Sequence, residues 1–183
     1  ALNYIFGQTP EVNFAEHAAW GRGISRGRPD DAHVNDPSPE RRLRIGYVSG
    51  DFREHSVTLF FEPMLARHDH GRFEIFCYYN HGYADAVTQR LKSGADHWRE
   101  VQALSDEAMA DLVREDAIDI LVDLSGHSAK NRLPVFGRKP APVQVTYLGY
   151  PTTTGLLAMD YRLTDAKVDP EGEGDRWYTE RLI

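Results

Sequence analysis

Sulfur is nearly missing from this chain. Its 183 residues carry one cysteine, Cys77, inside the apolar run FEIFCYY. A single thiol excludes an internal disulfide and any zinc site built from several cysteines. A lone buried thiol fits a reducing compartment, so a cytoplasmic setting is expected. Basic charge is also short: 21 Lys and Arg stand against 28 Asp and Glu, for a net charge of −7. No Lys/Arg cluster marks a face that could hold a nucleic-acid backbone, so nucleic acid is not expected as a partner. No stretch reaches the roughly 18 apolar residues of a membrane helix, and no membrane is expected. The opening ALNYIFGQTPEVNF has neither the basic start nor the long apolar core of a signal peptide. It also lacks an initiator Met, which reads as the start of an excised piece. Phosphate-loop motifs are absent too. No GxxxxGK occurs, and GYVSGD after the first strand does not match GxGxxG. Pyrophosphate binding by this domain alone is therefore not supported. There is no internal repeat of 20–50 residues and no low-complexity tract.

What is present is an orderly α/β pattern. With 41% hydrophobic residues, the length suits one globular domain with a proper core. PEVNFAEHAAWGRGIS (10–25) reads as a helix, with Thr9 as N-cap, Pro10 in the first turn and Glu11 favouring the dipole. GRPDDAHVNDPSPERR is polar, holds three prolines and has no periodicity, so it reads as a linker or exposed loop. From there strands and helices alternate. Strands are expected at 43–50, 73–80, 97–101, 119–126, 143–150 and 159–165. Helices are expected at 58–68, limited by Pro63, at 84–95 and at 105–117, where Ser105 and the acidic residues after it mark a start. Such alternation implies right-handed βαβ crossovers and a mostly parallel, Rossmann-like sheet with helices on both faces. Near-continuous apolar runs such as ILVDL suit strands covered on both sides.

In an open α/β sheet, ligands bind beyond the carboxyl ends of the strands. Three such ends carry a glycine: Ser49-Gly50-Asp51, Ser125-Gly126-His127 and Leu148-Gly149-Tyr150-Pro151. Side by side they would form one rim. The first, GDFREH, offers a carboxylate and an imidazole four residues apart, Asp51 and His55, suited to proton transfer near neutrality. The same residue types also serve turns and helix caps. The second gathers His127, Lys130, Asn131 and Arg132 in six residues, either an anion- or hydroxyl-facing loop or a solvated polar one, with room for a helix start behind it. The third, LGYPTTTG, could meet a sugar or peptide with hydroxyls and amides, or could be a structural turn. His68 and His70 sit at a helix end, and HDH alone supplies too few ligands for a metal. His17 reads as a packing or surface residue unless the first helix covers the rim. His81 and His97 read as loop and strand-edge residues. Trp20, Trp98 and Trp177 read as core rather than as stacking platforms.

The segments RLRIGYVSGDFREHSV, FEIFCYYN, DILVDLSGHSAKNRLPVFGRKPAPVQVTYLGYPTTTG and MDYRLTD occur in this order. They resemble the N-terminal half of the catalytic region of O-GlcNAc transferases, glycosyltransferase family 41, in a spelling closer to bacterial members. The opening LNYIFGQTPEVNFAEHAAWG resembles the helical lead-in that follows the tetratricopeptide repeats of that family. The resemblance implies a helical lead-in and linker over 1–41 and a Rossmann-like domain over 42–183. It implies a GT-B architecture whose second, C-terminal domain holds most of the uridine diphosphate. The implied reaction is an inverting, metal-independent transfer of N-acetylglucosamine from UDP-GlcNAc to Ser/Thr hydroxyls of proteins, with no cofactor. The implied partners are the nucleotide sugar, an acceptor protein, the C-terminal domain and N-terminal tetratricopeptide repeats. Asp51 and His55 match the family's SxDFxxH motif and are the implied catalytic residues. His127 and Arg132 match a polar loop near the donor phosphates and the acceptor. Leu148, Gly149, Tyr150 and Pro151 match the turn that lines the sugar pocket. Two alternatives stay open: another donor such as GDP-fucose, and a non-catalytic protein-interaction module.

Overall fold

The computed structural model describes residues 9–24 and 33–183. The expected lead-in residues 1–8, the end of the first helix at Ser25 and the 26–32 part of the linker lie outside the described residues. Seven strands form one sheet: β1 (Leu43–Ser49), β2 (Phe73–Tyr79), β3 (His97–Glu100), β4 (Ile120–Asp123), β5 (Val143–Tyr147), β6 (Tyr161–Leu163) and β7 (Arg181–Leu182). Their order across the sheet is β3-β2-β1-β4-β5-β6-β7. Every neighbouring pair is parallel. The helices are α1 (Pro10–Ile24), α2 (Ser56–Leu65), α3 (Ala86–Gly94), α4 (Asp106–Glu115) and the one-turn α5 (Leu133–Phe136). This is a doubly wound α/β fold, as the alternation of elements requires.

Strand side chains alternate between the two faces. In β2, Ile75, Cys77 and Tyr79 join Val57, Phe61 and Leu65 of α2 and Leu91 of α3 in one buried cluster. Phe76 and Tyr78 join Met109, Ala110 and Val113 of α4 and Phe136 of α5 in the other. Trp20 and Ile24 of α1 pack on that second cluster, so α1 is part of the domain's packing. The helix starts follow local chemistry. Ser105 caps α4 by accepting the Ala108 N–H. Asp85 and Thr88 form a capping box on α3. Pro63 lies inside α2, which ends two residues later at Leu65.

The described part of the linker is pinned. Asn35 Nδ2 and Arg41 Nη1 donate to the two carboxylate oxygens of Asp119, just ahead of β4, at 2.6 and 2.7 Å. Trp20, Trp98 and Trp177 are each half-buried at the border of the core and not within it. No helix among the described residues is long and apolar enough to cross a membrane.

Candidate active site

The strand order turns back between β1 and β4, which makes the crevice beyond their carboxyl ends the expected ligand site. Val48 stands beside Asp123, and Asp123 beside Thr146, so β1, β4 and β5 end at one level. The three glycine-bearing ends therefore do form one rim. Two of the glycines let the turns press on each other. A Cβ on Gly126, whose φ is +51°, would stand 2.1 Å from Tyr150 Cβ, and one on Gly149 would stand 1.9 Å from the Leu124 carbonyl oxygen. No larger residue fits at either point.

Asp51 and His55 sit at the β1 end. The helix cap falls to the histidine: His55 has an extended backbone and its Nδ1 accepts the Val57 N–H at 3.3 Å. A ring nitrogen that accepts carries no proton, so neutral His55 keeps its hydrogen on Nε2. Its Nδ1 lies 3.9 Å from Asp51 Oδ2, while Asp51 Oδ1 accepts from Arg53 Nη2 at 3.3 Å. In this arrangement the Asp51 carboxylate offers acceptor oxygens and neutral His55 offers its Nε2–H.

The β4 end places His127 between Trp20 and Tyr150, with ring centroids 4.5 and 5.2 Å away. Its Nε2 donates to the Thr154 carbonyl at 2.8 Å. Burial pushes its pKa below the usual imidazole value, opposed by that carbonyl. A neutral His127 with Nε2 committed has only Nδ1 left to offer, and Nδ1 is then an acceptor suited to a hydroxyl, not to a phosphate. Arg132 has a different occupation. Nη1 donates to Asp106 at 2.7 Å, and Nη2 donates to the carbonyls of Val101 and Leu104 at 2.9 and 3.0 Å. With only 11% of its side chain exposed, it ties the 127–132 loop to the segment ahead of α4.

The β5 end is strained. Leu148 has φ +68°, and the Gly149 N–H donates across it to the Tyr147 carbonyl at 2.8 Å. That is a γ-turn of the rare kind with positive central φ, and such strain persists only where the surroundings over-determine it. Tyr150 is buried and Pro151 exposed. A cavity of about 600 Å³ opens beside this turn, between Pro10, Pro151, Thr152, Trp177 and Tyr178, and neither Asp51 nor His55 lines it. Among the described residues no three His, Cys, Asp or Glu side chains gather as a metal site would need.

The sequence pattern of glycosyl transferase family 41 matches residues 27–183. The chain belongs to this family. Over 189 aligned positions it is 42% identical to a Solanum lycopersicum protein described as "Probable UDP-N-acetylglucosamine--peptide N-acetylglucosaminyltransferase SPINDLY", covering all of this chain and 20% of that one. The Arabidopsis thaliana protein of the same description is 43% identical over 93% of this chain and 19% of its own length. Among solved structures, a mutant of the Thermobaculum terrenum O-GlcNAc transferase superposes with a TM-score of 0.94 at 46% identity, over all of this chain and 35% of that one. The chain thus spans about a fifth of the length of these curated relatives.

Three residues of this family 41 domain carry more of the rim than the sequence suggested. Asp123 ends β4, is fully buried, and accepts from the amides of Ser125 and Gly126 and from Thr146 Oγ1. Burial pushes its pKa up to about 6, against those three hydrogen bonds. Its signal was there: a carboxylate inside ILVDL must find partners at depth. His17 is buried on α1, with Nδ1 against the Asn13 carbonyl and Nε2 2.9 Å from the Tyr150 hydroxyl. The first helix does cover the rim, so His17 has a place in it. Glu180 is buried against Thr153 and Thr154, and no local pattern marks it.

Proposed function

We propose that this domain is the acceptor-side wall of an inverting protein O-glycosyltransferase that moves N-acetylglucosamine from UDP-GlcNAc to Ser/Thr hydroxyls. The observation that carries the reading is the placement of Asp51 and His55 at the switch point of the sheet, on one rim with His127 and the strained 148–150 turn. In the transfer an acceptor hydroxyl attacks the anomeric carbon. The bond to the diphosphate oxygen breaks, and its electron pair leaves with UDP. Asp51 takes the hydroxyl proton, and His55 orients the acceptor through Nε2–H. His127 Nδ1 accepts from a hydroxyl of sugar or acceptor. Arg132 enters as the group that fixes the loop, since its Nη1 is bound to Asp106 and its Nη2 to backbone carbonyls ahead of α4. No metal takes part in this scheme.

The names of the relatives, the 46% identity to an O-GlcNAc transferase and the family membership support the donor class. The remaining length of those relatives leaves room for the second half of a GT-B cleft, holding uridine diphosphate, and for tetratricopeptide repeats ahead of this domain. A cytoplasmic site of action suits the single buried thiol.

The test uses the full-length parent protein with a peptide acceptor and either UDP-GlcNAc or GDP-fucose. Asp51→Asn is expected to lower kcat by about 10²–10⁴-fold, the range for loss of a general base. His55→Ala should also lower turnover strongly. Near wild-type rates from both variants would sink the site. Turnover with GDP-fucose alone would replace the donor.

A further inference from the structure

We infer that Glu180 is a positioning residue for the donor-sugar turn, holding 148–155 in its strained form from the far side of the sheet edge; this rests on the transferase reading above. The turn is gripped by buried polar groups from three distant parts of the chain. His17 of α1 meets the Tyr150 hydroxyl. Arg162 of β6 donates through Nη1 to the carbonyls of Tyr150 and Thr152 at 3.0 and 3.2 Å. Glu180, next to β7, takes the donors. Its Oε2 accepts from Thr153 Oγ1 at 2.6 Å, and its Oε1 accepts from the Thr154 N–H at 2.7 Å and from Thr154 Oγ1.

The hydroxyls are used on both sides. Thr153 Oγ1 accepts the amides of Gly155 and Thr179 at 3.0 and 3.2 Å, and Thr154 Oγ1 accepts the Leu156 amide at 3.2 Å. Each hydroxyl therefore relays the carboxylate to the backbone of the turn's closing half. The Thr179 hydroxyl also donates to Oε2 at 3.2 Å, and only a group with two acceptor oxygens can serve all of these donors. A glutamine would aim its NH₂ at groups that themselves donate. Gly155 closes the arrangement, since a Cβ there would stand 2.1 Å from the His17 carbonyl. A γ-turn with positive φ at Leu148 needs such over-determination to persist, and fixing it in advance spares a bound sugar the cost of ordering it.

The test compares Glu180→Gln, Thr154→Val and Thr154→Ser in the full-length parent. Thr154→Val keeps the volume and loses the relay; Thr154→Ser keeps the hydroxyl. With UDP-GlcNAc, Glu180→Gln and Thr154→Val are expected to raise donor KM about tenfold, as one lost ordering contact would. Acceptor KM should stay within about twofold, and Thr154→Ser should match wild type. A protein that merely loses folded fraction shows a lower apparent kcat with KM unchanged. Donor KM within about twofold of wild type in both Glu180→Gln and Thr154→Val would overturn the inference, as would Thr154→Ser behaving like Thr154→Val. If the wild-type parent transfers nothing, the transferase reading fails. The clamp is then read by hydrogen exchange alone: the Leu156 amide, which donates to Thr154 Oγ1, should exchange at least about tenfold faster in Thr154→Val than in Thr154→Ser, and equal rates would overturn it.

Discussion

Asp123→Asn should gain stability relative to wild type as the pH rises from about 4 to above 6. Asp123 is a carboxyl at full burial, with its pKa pushed up to about 6 by desolvation and further by the charge of Glu180. In the unfolded chain it titrates near 3.9. Between those values the folded protein holds the proton and the unfolded chain has released it. The folded state then binds more protons, so this group's contribution to stability falls as pH rises from about 4 to 6 and is level above that. A shift of about two units corresponds to about 3 kcal/mol at 1.36 kcal/mol per unit. The Ser125 amide donates to Oδ1, and the Gly126 amide and Thr146 hydroxyl donate to Oδ2, so an asparagine turns its NH₂ toward one of these donors, a loss that is the same at every pH. Other carboxylates held low by ion pairs, such as Glu62 beside Arg90 and Glu74 beside His97, slope the opposite way. The readout is therefore the difference between variant and wild type, measured by urea denaturation from pH 4 to 7.5. That difference should move by about 3 kcal/mol in favour of Asp123→Asn over the window. A difference that stays constant with pH would refute the buried charge. One that moves the other way would mean that three hydrogen bonds outweigh the desolvation of the carboxylate.

The other expectations follow from packing and from donors already in use. Gly126→Ala puts a methyl 2.1 Å from Tyr150 Cβ at a positive φ, so it should lower stability by at least about 2 kcal/mol in the same assay; a change under about 0.5 kcal/mol would contradict the interlocked turns. Arg132→Met should lower Tm by several degrees, since a loss of 1 kcal/mol shifts a domain of this size by about 2–4 °C, while leaving donor KM within about threefold. A large rise in donor KM with unchanged Tm would move Arg132 back to the phosphates. Cys77 is fully buried and its thiol is pushed up by desolvation. It should resist thiol reagents at neutral pH until the protein unfolds, and rapid labelling of the native state would contradict that burial.

Much of the architecture was already legible. The apolar runs of β1, β2 and β4, the cap at Ser105 and the breaker Pro63 are local signals, and local signals survive in a bare sequence. So were the three glycine-bearing strand ends, because the strand-end rule needs only the order of elements. β7, with two residues, and α5, with four, are too short for any periodicity to show. The resemblance to family 41 supplied the roles of Asp51 and His55, which spacing alone left open against capping. The structure then gave the cap to His55 itself.

Tertiary structure alone decided which polar groups meet. His17 and Tyr150 are 133 residues apart in the chain, and Glu180 lies 26 from Thr154. The loop pattern around Arg132 read as anion- or hydroxyl-facing, and only the fold brought the Asp106 carboxylate and three backbone carbonyls to its guanidinium. The sequence determined where strands, turns and reactive side chains would lie, because propensity, capping and apolar periodicity act between near neighbours. Only the packed sheet determined which buried charges hold the rim, because a buried donor or acceptor takes whatever partner the fold brings within about 3 Å.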